Sequence, residues 1–129
     1  VKGDPSYADT DLKDGTEYLY AVHAIDNDGL ASPMSVEVPA MTKPVPKKPS
    51  GLKLTEKDGK KILAWDANPE KDIKHYNVFK KGFLGASKLV SAQTNAWTVE
   101  EVKVKNELFV TAQDADDLES EGSDSIVFE

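Results

Sequence analysis

One sequence motif occurs twice in this chain, and its two copies align without a gap. We call it the repeated motif; its copies are Ala24-x-Asp26-x-Asp28-x-Leu30-x-Ser32-x-x-Ser35 and Ala112-x-Asp114-x-Asp116-x-Leu118-x-Ser120-x-x-Ser123. The offset between Ala24 and Ala112 is 88 residues. A period of this length exceeds that of a helical or leucine-rich solenoid and suits a small domain. Each copy follows one β-forming run, Tyr18–Val22 or Leu108–Ala112, and leads to a second. The motif therefore predicts one β-hairpin in each of two domains.

The offset also predicts how the 129 residues are divided. They have room for one complete unit and about half of another, so we interpret residues 1–40 as the C-terminal half of a truncated domain. Residues 41–49 combine prolines with lysines, a composition that cannot pair into a sheet and favours a semi-rigid linker. Residues 50–129 then form the complete domain.

Alternating apolar residues predict seven short strands in residues 50–129. They lie around Leu52–Leu54, Lys61–Trp65, Ile73–Lys80, Leu89–Val90, Trp97–Val99, Leu108–Ala112 and Ile126–Phe128. A helix capping-box spacing at Thr98–Glu101 is the competing signal, but its β-branched neighbours favour a strand. The alternation predicts a structural core made of Trp65, Tyr76, Val78, Leu108 and Val110, with Tyr18 and Tyr20 in the half domain.

Phe79, Phe109 and Leu19 are predicted to point away from the core, on neighbouring strands. Outward aromatic residues mark either a surface for a protein partner or a face covered by the linker or the other unit. The sequence leaves both interpretations open.

This ordered set of strands resembles the fibronectin type III family. The resemblance rests on Leu52-x-Leu54, Leu63-x-Trp65, Tyr76-x-Val78 and Leu12-x-Asp-Gly-Thr16-x-Tyr18-x-Tyr20-x-Val22-x-Ala24, and it covers nearly the whole chain. It implies an all-β, seven-stranded antiparallel immunoglobulin-like sandwich, preceded by a partial second sandwich.

The resemblance also implies roles for single residues. In the family, a Tyr at the start of the sixth strand hydrogen bonds to the backbone, and Tyr18 stands at that position. Asn106 occupies the matching place in the second unit, so we expect its corner to be held differently. The family's integrin-binding Arg-Gly-Asp is absent, and we attribute the similar Lys2-Gly-Asp4 to chance.

Acidic residues in and beside the repeated motif are the best candidates for ion binding: Asp26, Asp28, Asp114, Asp116, Asp117 and Glu119. A calcium site needs several oxygens that converge on one ion, and Asp114, Asp116 and Glu119 could supply three of them. Neither copy completes a helix-loop-helix calcium loop. We favour the interpretation that these acids shape and solvate a hairpin tip, and we expect neither a metal nor another cofactor.

Composition and motifs argue against several function classes. The chain carries a net charge of −7 and all 16 basic residues are lysines, which disfavours binding to nucleic acid. No apolar run approaches the ~18 residues of a membrane span, so direct membrane insertion is not expected. Cysteine is absent. His23 and His75 fall on outward strand positions and no Gly-x-Ser-x-Gly motif occurs, so we expect no enzyme activity within these residues.

Three functional hypotheses remain. The first is a non-catalytic spacer or protein-interaction module in a larger bacterial protein at the cell surface or secreted, such as a lipoprotein, in an extracytoplasmic location. The second is an accessory module of a secreted carbohydrate-active enzyme whose catalytic domain lies outside these residues. The third is calcium-rigidified adhesion. In all three, the uncovered apolar face of residues 7–40 predicts docking on another molecule or on the second unit, with self-association as one form.

Overall fold

A computed structural model describes Gly3 and residues 5–129, so the Lys2-Gly-Asp4 tripeptide lies partly outside the described residues. Its regular secondary structure is entirely β, with nine strands: β1 Glu17–Tyr20, β2 Val38–Met41, β3 Lys53–Lys57, β4 Lys60–Ala64, β5 Ile73–Gly82, β6 Gly85–Ala92, β7 Ala96–Thr98, β8 Glu107–Asp114 and β9 Ile126–Val127. All pairings are antiparallel. In the described part of the chain, no helix is long and apolar enough to cross a membrane.

The chain divides into two compact units, Val1–Pro44 and Val45–Glu129. We call them the first and second units. The second unit contains seven strands, as the alternation predicts, in two sheets ordered β3-β4-β7 and β6-β5-β8-β9. The capping-box segment is not helical, because Thr98 closes strand β7.

The core of the second unit lies between these two sheets. Its buried members are Leu63, Trp65, Tyr76, Val78, Ala92, Leu108, Val110 and Ala112. The Trp65 and Tyr76 rings meet edge to face, with centroids 5.3 Å apart and an interplanar angle of 70°. The Tyr76 hydroxyl accepts a hydrogen bond from the Asn68 backbone N–H at 2.9 Å, which satisfies its polar end within the packed unit.

Part of the predicted linker is attached to the second unit. The Lys47 N–H donates to the Glu70 carboxylate at 2.6 Å, and the Lys47 carbonyl accepts from the Asn68 side chain at 2.7 Å. Desolvation opposes the charge of Glu70, but hydrogen bonds from Lys47, its own N–H and Asn68 outweigh it and lower the pKa of Glu70. The backbone of Lys47 is therefore fixed to the second unit by specific hydrogen bonds.

The first unit is a two-stranded sheet formed by β1 and β2. Its pairs Leu19↔Pro39 and Tyr20↔Val38 lie 88 residues before the pairs Glu107↔Val127 and Leu108↔Ile126 of β8 and β9. The two hairpins thus share one register, as the repeated motif predicts.

Tyr18 and Tyr20 are half-buried, although the sequence places them in a core. Within the first unit no second sheet faces them, and none of its described residues is fully buried. The Tyr20 hydroxyl donates to the Asp9 carboxylate at 2.8 Å, and this hydrogen bond raises the pKa of Tyr20.

The corner before each hairpin is held by different side chains. The Tyr18 hydroxyl accepts a hydrogen bond from the Lys13 N–H at 3.0 Å, which confirms the predicted tyrosine corner. In the second unit the Asn106 side-chain oxygen accepts from the Lys103 N–H at 3.1 Å. The Asn106 side chain, which is shorter than that of tyrosine, therefore bonds to a residue 3 positions earlier, whereas Tyr18 bonds to one 5 positions earlier.

Val110→Ala is expected to destabilise the second unit by about 2 kcal/mol, because Val110 is fully buried and the lost methyl groups leave a cavity. Urea unfolding followed by tryptophan fluorescence measures this change, since both tryptophans lie in the second unit. Val127→Ala, at a position 44% exposed in strand β9, is the matched control and should change stability by less than about 0.5 kcal/mol. Equal effects would contradict the described core.

Glu70→Gln is expected to remove a pH-dependent part of the stability. Because folding lowers the pKa of Glu70, its contribution is fully present above the ordinary value of 4.5 and is lost as the pH falls through the lower folded value. Thermal melting at a series of pH values should show a wild-type advantage at neutral pH that disappears in acid. Glu121→Gln, at an exposed carboxylate, should show no such difference.

Candidate functional site

The first aspartate in each copy of the repeated motif holds the turn through its side chain. Asp114 Oδ1 accepts hydrogen bonds from the N–H groups of Asp116 and Leu118, at 2.9 and 3.0 Å. Asp26 Oδ1 makes the same two bonds, to Asp28 and Leu30, both at 2.9 Å. These aspartates are therefore structural residues of the hairpin.

The two serines of each copy bridge the hairpin where regular strand pairing ends. Ser120 donates its N–H to the Ala112 carbonyl and accepts the Ala112 N–H on its Oγ, both at 2.8 Å. Ser123 makes the equivalent pair of bonds with Val110, at 2.8 and 2.9 Å. Ser32 and Ser35 repeat this arrangement with Ala24 and Val22. We call these paired bonds the serine bridges.

The predicted calcium ligands are only partly brought together. Asp72, Asp114 and Asp116 each place a carboxylate oxygen within 4.8 Å of the others, whereas Glu119 is not part of this group. Glu119 instead accepts hydrogen bonds from the Asn77 side chain, at 3.1 Å, and from the Thr111 hydroxyl. Glu119 is separated from this cluster because its side chain lies on the outer face of the sheet, with Asn77 and Thr111.

Asp72 could not be assigned to this cluster from sequence spacing. It precedes β5, and the pairing of Ile73 with Asp114 brings it beside the turn that follows β8. Asp114 is 1% exposed and its Oδ1 already holds the turn. The geometry thus favours the shaping of the hairpin tip over ion binding.

The outer face of the four-stranded sheet carries a buried polar network. Asn77 and Thr111, opposite each other on β5 and β8, are only 2% and 6% exposed. Asn77 donates to Gln113 at 3.1 Å as well as to Glu119, and accepts from the Ser91 hydroxyl at 2.8 Å. His75 Nε2 shares a 2.8 Å hydrogen bond with Gln113 Oε1. These hydrogen bonds fix the side chains on the part of the outer face around Asn77 and Thr111.

Next to the network, Phe79 and Phe109 form a stacked pair. They are opposite each other in register, with ring centroids 5.1 Å apart and an interplanar angle of 9°. Gly122 lies against this pair, and a Cβ there would approach Phe109 Cδ2 to 2.8 Å. The pair points outward as predicted but is partly buried, because the rings cover each other and Gly122.

Beyond the pair, the face continues into an ion pair and an exposed hairpin tip. Lys81 Nζ lies 2.9 Å from Glu107 Oε2, and this hydrogen bond with that from Ser125 lowers the pKa of Glu107. Phe83 and Leu84 then form the turn between β5 and β6 and are 102% and 96% exposed. We call these two residues the Phe-Leu tip.

The sequence pattern did not predict the Phe-Leu tip, which lies between Gly82 and Gly85. Two apolar residues between glycines create no periodicity, so pattern analysis has no signal for them. A signal does exist in the composition, because turns of this kind normally carry polar residues. Leu19, predicted to point outward with Phe79 and Phe109, lies in the first unit and is 59% exposed.

The described residues do not form a triad of nucleophile, base and acid around either histidine. His75 is engaged by Gln113, which is neither acid nor nucleophile, and His23 is exposed in the first unit. The described surface of the second unit instead offers an apolar tip beside an aromatic pair and an ion pair. Such a surface is suited to contact with a macromolecule.

Comparison with known proteins shows the fold. No family model matches the chain. No curated protein matches its sequence. An Fn3-like protein from Clostridium thermocellum is similar in structure, with a TM-score of 0.54 and 20% identity over 66% of this chain and 93% of that one. The fibronectin type III domain of human fibronectin type III domain containing protein 3 matches with a TM-score of 0.57 and 18% identity, over 69% of this chain and 89% of that one.

A pectate lyase from Erwinia chrysanthemi is also similar, with a TM-score of 0.50 and 11% identity. The match covers 62% of this chain and 27% of the lyase. At these identities the likeness concerns the fold alone. The likeness to the Fn3-like protein and to the human fibronectin type III domain confirms the predicted all-β fibronectin type III fold.

Asp114→Ala is expected to destabilise the second unit by about 1–3 kcal/mol, because two backbone N–H groups of the turn lose their acceptor. Asp114→Asn keeps an oxygen in place and should recover much of this loss. Urea unfolding in EDTA and in calcium measures both variants. A structural role predicts the same loss in both buffers; a loss that appears only in calcium would instead show ion binding.

Proposed function

Because the chain has the fibronectin type III fold, we propose that it is a non-catalytic module that binds a protein partner through the Phe-Leu tip. The module would act as a spacer and interaction element in a larger bacterial surface or secreted protein. The bacterial setting and an extracytoplasmic location are both parts of this proposal.

The observation that supports this function best is the complete exposure of Phe83 and Leu84. Neither side chain contributes to the core of the second unit. Apolar side chains that stay in water forfeit roughly 25 cal/mol per Å² of surface, which a partner recovers by covering them. Phenylalanine is also enriched in protein interfaces relative to the rest of the protein surface.

The residues beside the tip favour a protein as the partner. The Lys81–Glu107 ion pair, with its side chains about half exposed, forms a polar rim next to the apolar tip. An apolar centre with a charged rim is the usual composition of a protein interface. The locked network around Asn77 keeps the sheet rigid, so binding orders few additional side chains.

Site-specific photo-crosslinking tests this function. The photoreactive amino acid p-benzoylphenylalanine replaces Phe83 in the protein in its native cells, and Ala115 is replaced in the control. Ala115 is exposed and follows β8 at the opposite end of β5. We expect a discrete protein adduct from position 83 that is absent from position 115. Equal adducts at both positions, or none at position 83, would contradict a partner at the tip.

The match to a pectate lyase supports a second candidate, an accessory module of a carbohydrate-active enzyme. Two features argue against it. The Phe79 and Phe109 rings stack on each other, so their facing sides are not available to a sugar ring. The net charge of −7 repels an anionic polysaccharide. Affinity electrophoresis in gels containing polygalacturonate or neutral glucans distinguishes the two: retardation that Phe83→Ala leaves unchanged would favour the carbohydrate role.

A further inference from the structure

The hairpin that carries the Phe-Leu tip is basic, although the chain as a whole is acidic. Residues 79–88 contain Lys80, Lys81 and Lys88 and no acidic residue. Since this segment contributes +3 to the net charge of −7, all other residues together carry −10. Lys81 is paired with Glu107, whereas Lys88 is exposed and forms no ion pair within the described residues. A protein that covers this tip should therefore offer an apolar pocket bordered by acidic side chains.

Such a pocket exists in the second unit, beside the edges of its two sheets. Strand β6 is an edge of the four-stranded sheet, and β7 is an edge of the three-stranded sheet. A groove of about 380 Å³ opens beside them, which we call the β6-β7 groove and which is lined by Lys80, Leu89, Val90, Trp97, Glu100 and Glu101. Its three apolar side chains are half-buried and pack against the core, and both glutamates are exposed. The groove therefore has an apolar base and an acidic border.

The acidic border of the β6-β7 groove is not neutralised by its own chain. Among the described residues, neither Glu100 nor Glu101 forms an ion pair. Lys80, two residues beyond the buried Val78 on β5, also lines the groove but pairs with neither glutamate. The groove thus has one more negative than positive charge. Lysine side chains of a partner can approach the two glutamates without breaking an existing ion pair.

The tip and the groove of one chain do not meet, but those of two chains can. Phe83 and Leu84 are fully exposed, so they do not occupy the groove of their own chain. Lys80 lines the groove, and Phe83 follows it by three residues in the same hairpin. Three residues of extended strand span about 10 Å, so the tip projects from the margin of the groove. Two copies related by a two-fold axis can therefore each place their tip in the groove of the other.

The chemistry of the tip matches that of the groove. The two apolar residues of the tip would remove the half-buried Leu89 and Trp97 of the other copy from water. The lysines beside the tip would approach the two glutamates at the border of the groove. Only two tips and two grooves are covered, so this is a small interface, below the roughly 1,200 Å² of buried surface that stable complexes reach. We therefore expect association at high protein concentration.

We propose that the Phe-Leu tip binds in the β6-β7 groove of a second copy of this chain, so that two copies exchange their tips around a two-fold axis. The groove then receives an apolar tip flanked by lysines, and the tip receives an apolar pocket bordered by glutamates. This inference rests on the function proposed above, because it names the partner of the same tip.

Photo-crosslinking of the purified chain tests the contact directly. With p-benzoylphenylalanine in place of Phe83, we expect an adduct of twice the 14.1 kDa chain mass. Peptide mapping should place the cross-link within residues 89–101, which contribute most of the groove. The same probe in place of the exposed Ala115 is the control and should give no such adduct. No doubled adduct from position 83, a cross-link outside the groove, or equal adducts from both positions would overturn the proposal.

Sedimentation of two variants tests the reciprocity of the contact. Phe83→Ser with Leu84→Ser removes the tip, and Glu100→Lys with Glu101→Lys reverses the border of the groove. All four positions are exposed, so both variants should keep the circular dichroism spectrum of the wild type. At high concentration we expect the wild type and the control Glu121→Lys to approach twice 14.1 kDa, and each variant alone to stay at 14.1 kDa. An equimolar mixture of the two variants should associate more than either alone, because one intact tip can still bind one intact groove.

Three results would refute the exchange of tips. They are a wild type that stays monomeric at every concentration, a tip or groove variant that associates like the wild type, and a mixture that associates no more than its separate components.

The probe at position 83 also separates this proposal from the function on which it rests. If it captures a different protein in cells but no second copy in the purified chain, the tip binds a protein and only the identity of its partner is wrong. If it captures no protein in cells and no second copy in the purified chain, both proposals are contradicted.

Discussion

Apolar contact between its two sheets holds the second unit together. Leu63 of β4 and Trp65, which directly follows that strand, pack into the same core as Val78, Leu108 and Val110 of the larger sheet. With no disulfide available, this burial is the main source of stability for a unit of this size. The rigid outer face, and with it the position of the Phe-Leu tip, depends on that contact.

The hairpin of the first unit forms although no second sheet of the described residues packs against it. Val22 is 71% exposed, whereas its counterpart Val110 is fully buried. The serine bridges and the aspartate-capped turn nevertheless have the same geometry in both. Local hydrogen bonds therefore determine the shape of the hairpin, and burial of its apolar side chains determines its stability.

The sequence predicted what depends on local pattern. Alternation located the seven strands of the second unit, and the constant offset predicted one register for two hairpins. Features that depend on distant residues were missed or misassigned. Glu119 was grouped with Asp114 by spacing, yet Thr111 and Asn77 hold it on another face, and Asp72 reaches the turn only through the pairing of β5 with β8. Phe83 and Leu84 lie in a turn, where no periodicity exists to mark them.

The serine bridges also bear on the order of folding. Each joins residues only 8 or 13 positions apart, so its closure costs little chain entropy compared with the pairing of β5 and β8. A hairpin of this kind can close within microseconds, before the strands that cover it have arrived. In each unit the hairpin of the repeated motif can therefore form first and serve as a folding nucleus. The strands that pair over longer sequence distances are then added to it more slowly.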